Sequence, residues 1–227
     1  MKAAALSALA TLWLCAAPTP VDAGVPSQRE WHFEVLLDDK PIGVHRFQLS
    51  TAGETRELRS EASFRVKILG LTVYDYSHQS SERWKNDCLQ GIDASTDDNG
   101  DDFFVRGHGG GDGLLIESQT GIASLPGCVM TFAYWNPVML QQQRLLNTQT
   151  GEYIRVDVEQ LGEQTLHIQG LAVPALHYRV RAGERDIQLW YSSDRDWLGL
   201  SSTTRGGRQL HYRRLSPVEN DEGASDG

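Results

Sequence analysis

The chain lacks an excess of positive charge. Lysine and arginine number 21 against 30 aspartates and glutamates in 227 residues, a formal net charge of −9. That is the wrong sign for holding a phosphate backbone by counterion release, so nucleic-acid binding is not expected. Cysteine is scarce, three residues in all, and no C-x-x-C pair suggests thiol redox chemistry. Cysteines without nearby histidines do not complete a tetrahedral metal site either. The glycines after His108 lack a G-x-S-x-G elbow, so a lipase-type oxyanion loop would have no nucleophile to serve, and they lack the Lys-Ser/Thr ending of a phosphate loop. Asp97, Asp98, Asp101 and Asp102 gather carboxylates but miss the calcium-loop pattern and its closing glutamate. His32, His45, His167, His177 and His211 stand apart, none in H-x-H or H-E-x-x-H spacing. No metal or cofactor is implied, and no matched acid, base and nucleophile marks an enzyme.

What is present begins with an export signal. Lys2 is followed by an apolar stretch over residues 3–17, then Pro18-Thr19-Pro20 and the small-residue site Val21-Asp22-Ala23. A positive start, a short apolar run below the ~20 residues that cross a bilayer, and alanine at the cleavage position describe a secretory signal peptide cut after Ala23. The alternatives are a membrane anchor and, through Cys15, a lipoprotein signal. Leu12-Trp13-Leu14 is too bulky for the latter. Cleavage leaves Cys88 and Cys128 in an oxidising compartment, where two cysteines form one disulfide. The loop between them spans 40 residues, which by the chain-entropy argument stabilises by roughly 4 kcal/mol. At the other end, residues 218–227 carry Glu219, Asp221, Glu222 and Asp226 with no basic partner. Such a tail buries little and is expected to be disordered.

Composition, with 40% hydrophobic and 22% charged residues, suits one domain over residues 24–217. Period-two alternation dominates it. Trp31, Phe33, Val35 and Leu37 alternate, Asp38-Asp39-Lys40-Pro41 interrupts, and alternation resumes over 42–50 as a hairpin. Long strands follow over 56–68 and 71–85, then a strand over 88–95, an Asn99-Gly100 hairpin turn and a return over 103–106. The glycine-rich stretch 107–113 reads as a mobile loop. From Ile154 to Tyr212 alternation continues, with Gly162, Gly170, Gly183 and Gly206-Gly207 as turns. One helix is expected, capped by Asn136, opened by Pro137 and continuing over 138–146. Strand after strand with short turns indicates an all-β, mostly antiparallel fold, a curved half-barrel or open barrel with one short helix.

The candidate site lies on strand 71–85, where alternation puts Thr72, Tyr74, Tyr76, His78, Ser80, Glu82 and Trp84 on one face. That face either lines a ligand cavity or is a half-solvated surface. The second candidate is residues 127–137, Gly-Cys-Val-Met-Thr-Phe-Ala-Tyr-Trp-Asn-Pro, which with the following helix forms a core corner or plugs the concave face. The ligand-binding candidates are therefore Tyr74, Tyr76, His78, Trp84, Tyr134, Trp135, Met139 and Leu140.

These segments resemble a family of exported bacterial proteins defined only as a domain of unknown function. The matching pieces are Trp31-His32-Phe33, Pro41-Ile42-Gly43, Glu82-Arg83-Trp84, Asp87-Cys88-Leu89, the specific run over 127–137, Leu146-Asn147-Thr148-Gln149-Thr150-Gly151 and Leu189-Trp190-Tyr191. The resemblance implies an envelope β domain and gives no established activity or catalytic residues to carry over. More distantly, the opening hairpin resembles the curved half-barrels of lipoprotein carriers.

The reading that follows is a periplasmic or secreted, non-enzymatic binder of an apolar small molecule, a lipid or acyl group, with no transmembrane span in the mature chain. An interaction module for an envelope protein is the alternative. A glycan or lipid hydrolase would need carboxylates or a Ser/His pair to converge from adjacent strands, with Glu82, His78 and Asp75 the first residues to mutate.

Overall fold

The computed structural model describes residues 27–110, 113–204 and 206–215. The leader with Cys15 and the acidic tail lie outside the described residues. The strands are β1 (Ser27–Leu37), β2 (Lys40–Ala52), β3 (Thr55–Ile68), β4 (Leu71–Lys85), β5 (Cys88–Asp98), β6 (Asp101–Gly110), β7 (Gly113–Ser118) and β8 (Gly121–Pro126). After a connecting segment come β9 (Arg144–Leu146), β10 (Tyr153–Ile168), β11 (Leu171–Ala182), β12 (Arg185–Tyr191), β13 (Trp197–Thr203) and β14 (Gln209–Arg214).

All fourteen join one sheet in the order β8-β7-β6-β5-β4-β3-β2-β1-β14-β13-β12-β11-β10-β9, so each half is a meander and the two meet at the β1–β14 pair. The ladders are antiparallel. The sheet rolls on itself without closing, because β8 and β9 end the order and do not pair.

Rolling is driven by the inward face. On β3, Leu58, Ser60, Ala62 and Phe64 are buried while Glu57, Arg59, Glu61 and Arg65 face solvent. The same alternation buries Tyr76, His78, Ser80, Glu82 and Trp84 on β4. This face is thus interior, and its reading as a half-solvated surface is corrected. Curvature lets strands that are not neighbours share one apolar cluster, with Phe47 of β2 against Trp197 of β13, two strands between them, at 5.1 Å between ring centroids. Where the halves meet, fully buried Asp196 accepts from Trp31 Nε1 at 2.8 Å and pairs with Arg29 at 2.9 Å and with buried Arg214.

The gap between β8 and β9 is spanned by residues 127–143, which enter the barrel. Cys128 is tied to Cys88 at the start of β5. Val129 accepts from the Leu89 amide at 2.9 Å, and Met130 from the Leu146 amide at 2.8 Å. Val129, Met130, Ala133, Trp135 and Met139 consequently belong to the main core.

Three expectations need correction. The helix is a single 3-10 stretch, Pro137–Gln141, and does not reach residue 146. Its start is as expected, with the Asn136 side chain accepting from the Val138 amide at 3.2 Å. Gln142 is already extended, however, and Leu145 and Leu146 are fully buried in β9, paired to β10. Tertiary pairing outweighs the propensity of these strong helix formers, whose run is too short to be helical by itself. Residues 107–110 are not a loop but the end of β6, paired to β7. A Cβ at Gly107 would stand 2.9 Å from Ile92 Cγ2 and 3.0 Å from Ile116 Cγ2, so glycine here serves close packing. Gly162 is not a turn but a bulge inside β10, where the register shifts between Gln160 and Gly162.

Candidate functional site

Between the main core and a smaller apolar cluster of Val35, Ala62, Phe64 and Tyr76, the inward face turns polar. Strand register explains why. The pairs His45↔Ala62, Ala62↔His78 and His78↔Thr96 put two histidines and a threonine in one row across β2 to β5. One step deeper, Phe47, Ser60 and Ser80 are neighbours, and one step further Leu49, Leu58 and Glu82. The entering segment and the facing strands do not fill the space over this layer. A cavity of about 260 Å³ remains, bounded by His45, Ser60, His78, Ser80 and Glu82 on one side and by Phe132, Tyr134, Ile187, Leu200 and Leu210 among others opposite. A smaller cleft of about 190 Å³ lies around Arg106 and His108.

Burial disfavours the charged forms of the interior groups, and hydrogen bonds hold them in place. Burial pushes the Glu82 carboxyl up to about 7, although Thr131 and Trp84 donate to it. Trp84 Nε1 lies 3.1 Å and Thr131 Oγ1 3.3 Å from the same carboxylate oxygen. Burial lowers His78 to about 4, and its Nδ1 is 2.8 Å from Thr96 Oγ1. His45 is held well below the ordinary histidine range, first by burial and then by His78. Arg185, half-buried in the wall, makes no ion pair among the described residues.

One constellation invites a catalytic interpretation. His45 Nε2 lies 2.7 Å from Ser60 Oγ, and its Nδ1 lies 3.0 Å from the Tyr212 hydroxyl. A serine, a histidine and a third group on the other ring nitrogen are the elements of an activated nucleophile. The third group here is a phenol, whose own hydrogen can fix the tautomer in which Nε2 donates to the serine. Ser60 also sits mid-strand between Phe47 and Ser80, with β3 paired on both sides. Amides committed to a ladder do not form an oxyanion hole. The arrangement is better suited to orienting a bound polar group than to acyl transfer.

Of the sequence candidates, His78, Tyr134 and Trp135 line the cavity. Trp135 also holds a buried indole N–H with no acceptor among the described residues. Tyr74 and Tyr76 belong to the smaller cluster toward the β3–β4 turn, with Tyr76 stacked on Phe64 at 5.1 Å. Trp84 and Met139 are fully buried in the core, and Leu140 packs on its margin. Trp84 meets Trp135 edge to face at 5.6 Å. The sequence reading missed His45, Ser60, Arg185 and Tyr212. Alternation alone identified their faces, but joining them required the β2–β3 register and the contact between the two meanders. Asp75 points outward and pairs with Arg65 at 2.7 Å, while His78 and Glu82 stand two inward steps apart, roughly 13 Å along the strand. These three form no acid–base set.

Fold and interior together define an open, rolled antiparallel β-barrel with a covalently tethered segment inside and a cavity beneath it. Residues 33–215 match the family described as "Domain of unknown function (DUF6134)", and the chain belongs to that family. Among solved structures it is similar to a beta-barrel-like protein of domain of unknown function DUF1849 from Brucella abortus, with a TM-score of 0.61 and 9% identity over 84% of this chain and 96% of that one. That likeness is one of fold. No curated protein matches the chain. Among the described residues no helix is long and apolar enough to cross a membrane, and no cluster of three metal-binding side chains occurs.

Proposed function

We propose that this is an exported envelope protein that binds, without transforming, a small amphiphile bearing a carboxylate at one end, such as an acyl chain. Export is supported by the leader and by the Cys88–Cys128 disulfide, a bond that persists in oxidising compartments. The observation that carries the ligand class is Arg185, a half-buried cation in the cavity wall without an ion pair among the described residues. A guanidinium in that position is matched by a carboxylate, and charge-assisted pairing there is stronger than a neutral hydrogen bond. Ile187, Leu200, Leu210 and Phe132 supply an apolar path for the rest of the ligand. Size sets a limit. At about 260 Å³ the cavity is just below the ~300–1,000 Å³ of drug-sized sites, so it suits one short chain rather than a whole diacyl lipid.

Native mass spectrometry of protein purified from envelope extracts, together with titration of a fluorescent fatty acid and the matching fatty alcohol, tests the reading. The expected result is an acyl adduct, or uptake of the acid in preference to the alcohol, with the preference lost in Arg185→Ala. A ligand-free mass with no uptake of either probe would overturn it. The Ser60–His45 contact favours a hydrolase as the second reading, and covalent labelling of Ser60 by a fluorophosphonate, absent in Ser60→Ala, would establish that reading instead.

A further inference from the structure

The β3–β4 hairpin reaches beyond its neighbours. The β2 ladder to β3 stops at Gly43↔Phe64, and the β5 ladder to β4 stops at Tyr76↔Asp98. Asn99 still bonds Asp75 through both its amide and its side chain, so residues 66–74 form the two-stranded finger, which from residue 66 to the turn projects by roughly 10 Å. An Arg65–Asp75 ion pair closes its base. Beyond that base the finger is apolar. Ile68 is 58%, Leu69 99%, Leu71 72% and Val73 49% exposed, and Lys67 is its charged side chain.

Turn chemistry does not call for this. Leu69 and Gly70 have φ of 51° and 83°, the geometry in which asparagine, aspartate or glycine is favoured and leucine is not. The other two-residue turns with positive φ at both positions open on a polar residue: Asp38-Asp39, Asn99-Gly100 and Gln169-Gly170. A leucine there carries both a conformational and a solvation cost, neither of which the barrel recovers.

A second hairpin shows what such a tip does when apolar surface is within reach. Residues 68–73 read Ile-Leu-Gly-Leu-Thr-Val and residues 168–173 read Ile-Gln-Gly-Leu-Ala-Val, with matching turn φ values of 51° and 83°. In the β10–β11 hairpin Ile168 is 8% exposed, packed with Ala175, Leu198 and Trp190, and Gln169 donates to the Leu215 carbonyl. That copy docks Ile168 and Gln169 on the protein's own surface, while its Leu171 stays 70% exposed. Antiparallel strand order places it at the opposite end of the barrel from the finger. The finger stands at the end that holds the β11–β12 turn preceding Arg185, and β3 and β4 are the strands whose Ser60, His78 and Ser80 line the cavity.

We propose that the tip of the β3–β4 hairpin inserts into a lipid surface. Its shape and layering argue for lipid. A narrow convex tip with exposed Ile68, Leu69, Leu71 and Val73 can sink into the acyl boundary, while exposed Lys67 stands just behind at the depth where cationic side chains anchor to headgroups. Outward positions on the body of β3 are charged, so the barrel wall stays in water and only the tip enters. The adjoining β5–β6 turn carries Asp97, Asp98, Asp101 and Asp102, which repel anionic headgroups. Insertion is therefore apolar in origin and favours zwitterionic lipid.

The test uses the full chain as purified from cells and phosphatidylcholine–phosphatidylethanolamine vesicles. An environment-sensitive fluorophore on Leu69→Cys is expected to brighten and shift to the blue on vesicle addition, and the same label on Leu171→Cys is not. Read by the same label on Val73→Cys, Leu69→Asn, which suits the turn, should keep or raise the melting temperature while weakening the vesicle response, and Leu69→Asp with Leu71→Asp should weaken it by roughly tenfold or more. An unchanged spectrum at position 69, equal shifts at 69 and 171, or an undiminished response at position 73 (Val73→Cys, labelled) in the double-aspartate variant would overturn the proposal. Uptake of soluble fatty acid does not depend on the tip, so failure here is separable from failure of the cavity reading.

Discussion

Burial disfavours the charged forms of Glu82 and of the histidines of the interior layer, with opposite consequences for stability. The unfolded chain begins to release the Glu82 proton near pH 4.5, whereas the folded protein holds it to about 7. Across that window rising pH favours the unfolded state. His78 and His45 work the other way. The unfolded chain takes up protons below about 6.5 while folded His78 stays neutral to about 4 and His45 to well below the ordinary range, so acidification through that interval removes stability. Glu82→Gln should accordingly gain on the wild type between pH 4.5 and 7, by a few kcal/mol at most, and hold that gain above 7. His78→Gln should flatten the acid limb. Urea midpoints measured across this range check both. Asp196 poses a different case, since its removal takes a buried carboxylate away from the buried Arg214 guanidinium, which keeps its bond to the Trp197 carbonyl. Asp196→Ala is expected to cost about 3–5 kcal/mol in equilibrium unfolding. Alternation in the sequence placed Glu82 and His78 on the same face, but their protonation states depend on what covers that face.

Among the elements, the segment over residues 127–143 shows how much local sequence could say. The Asn136 cap and Pro137 are legible as a helix start, and the structure uses both. The length of the helix is not legible, because residues 144–146 are as comfortable in a helix as in a strand until β10 offers a ladder. The disulfide holds this segment against β5. Replacing Cys88 and Cys128 by alanine should cost roughly 4 kcal/mol and speed hydrogen exchange at the Leu89 and Leu146 amides, which bond to Val129 and Met130. Gly43 is a second informative element. A Cβ there would lie 1.9 Å from the Ser63 carbonyl, so Gly43→Ala must push β2 from β3. A loss of stability well above the usual ~1 kcal/mol for a point change is expected in thermal melts, with damage to the His45–Ser60 contact one turn of the ladder away.

At the scale of the whole molecule, two meanders meeting at β1–β14 enclose a space that neither encloses alone. Leu210 of β14 stands in the cavity wall opposite His78 of β4. Leu210→Trp should fill the void, abolish fatty-acid uptake in the fluorescence titration and leave the melting temperature within a few degrees of the wild type, because the added ring occupies existing space. Rim position and half-burial make it a gentler change than overpacking the core.

What the sequence determined by itself is periodic and local: the strands, the hairpin at Asn99-Gly100, the cap at Asn136 and the pairing of two cysteines. These follow from side-chain alternation, φ preference and the arithmetic of thiols, none of which needs a partner strand. Only the tertiary structure decided which glycines are turns and which are close approaches. It also decided that residues 144–146 join a ladder, and that His45, Ser60, Arg185 and Tyr212 share one cavity. Those outcomes depend on register and curvature, set by contacts between residues as far apart as His45 and Tyr212, 167 positions along the chain.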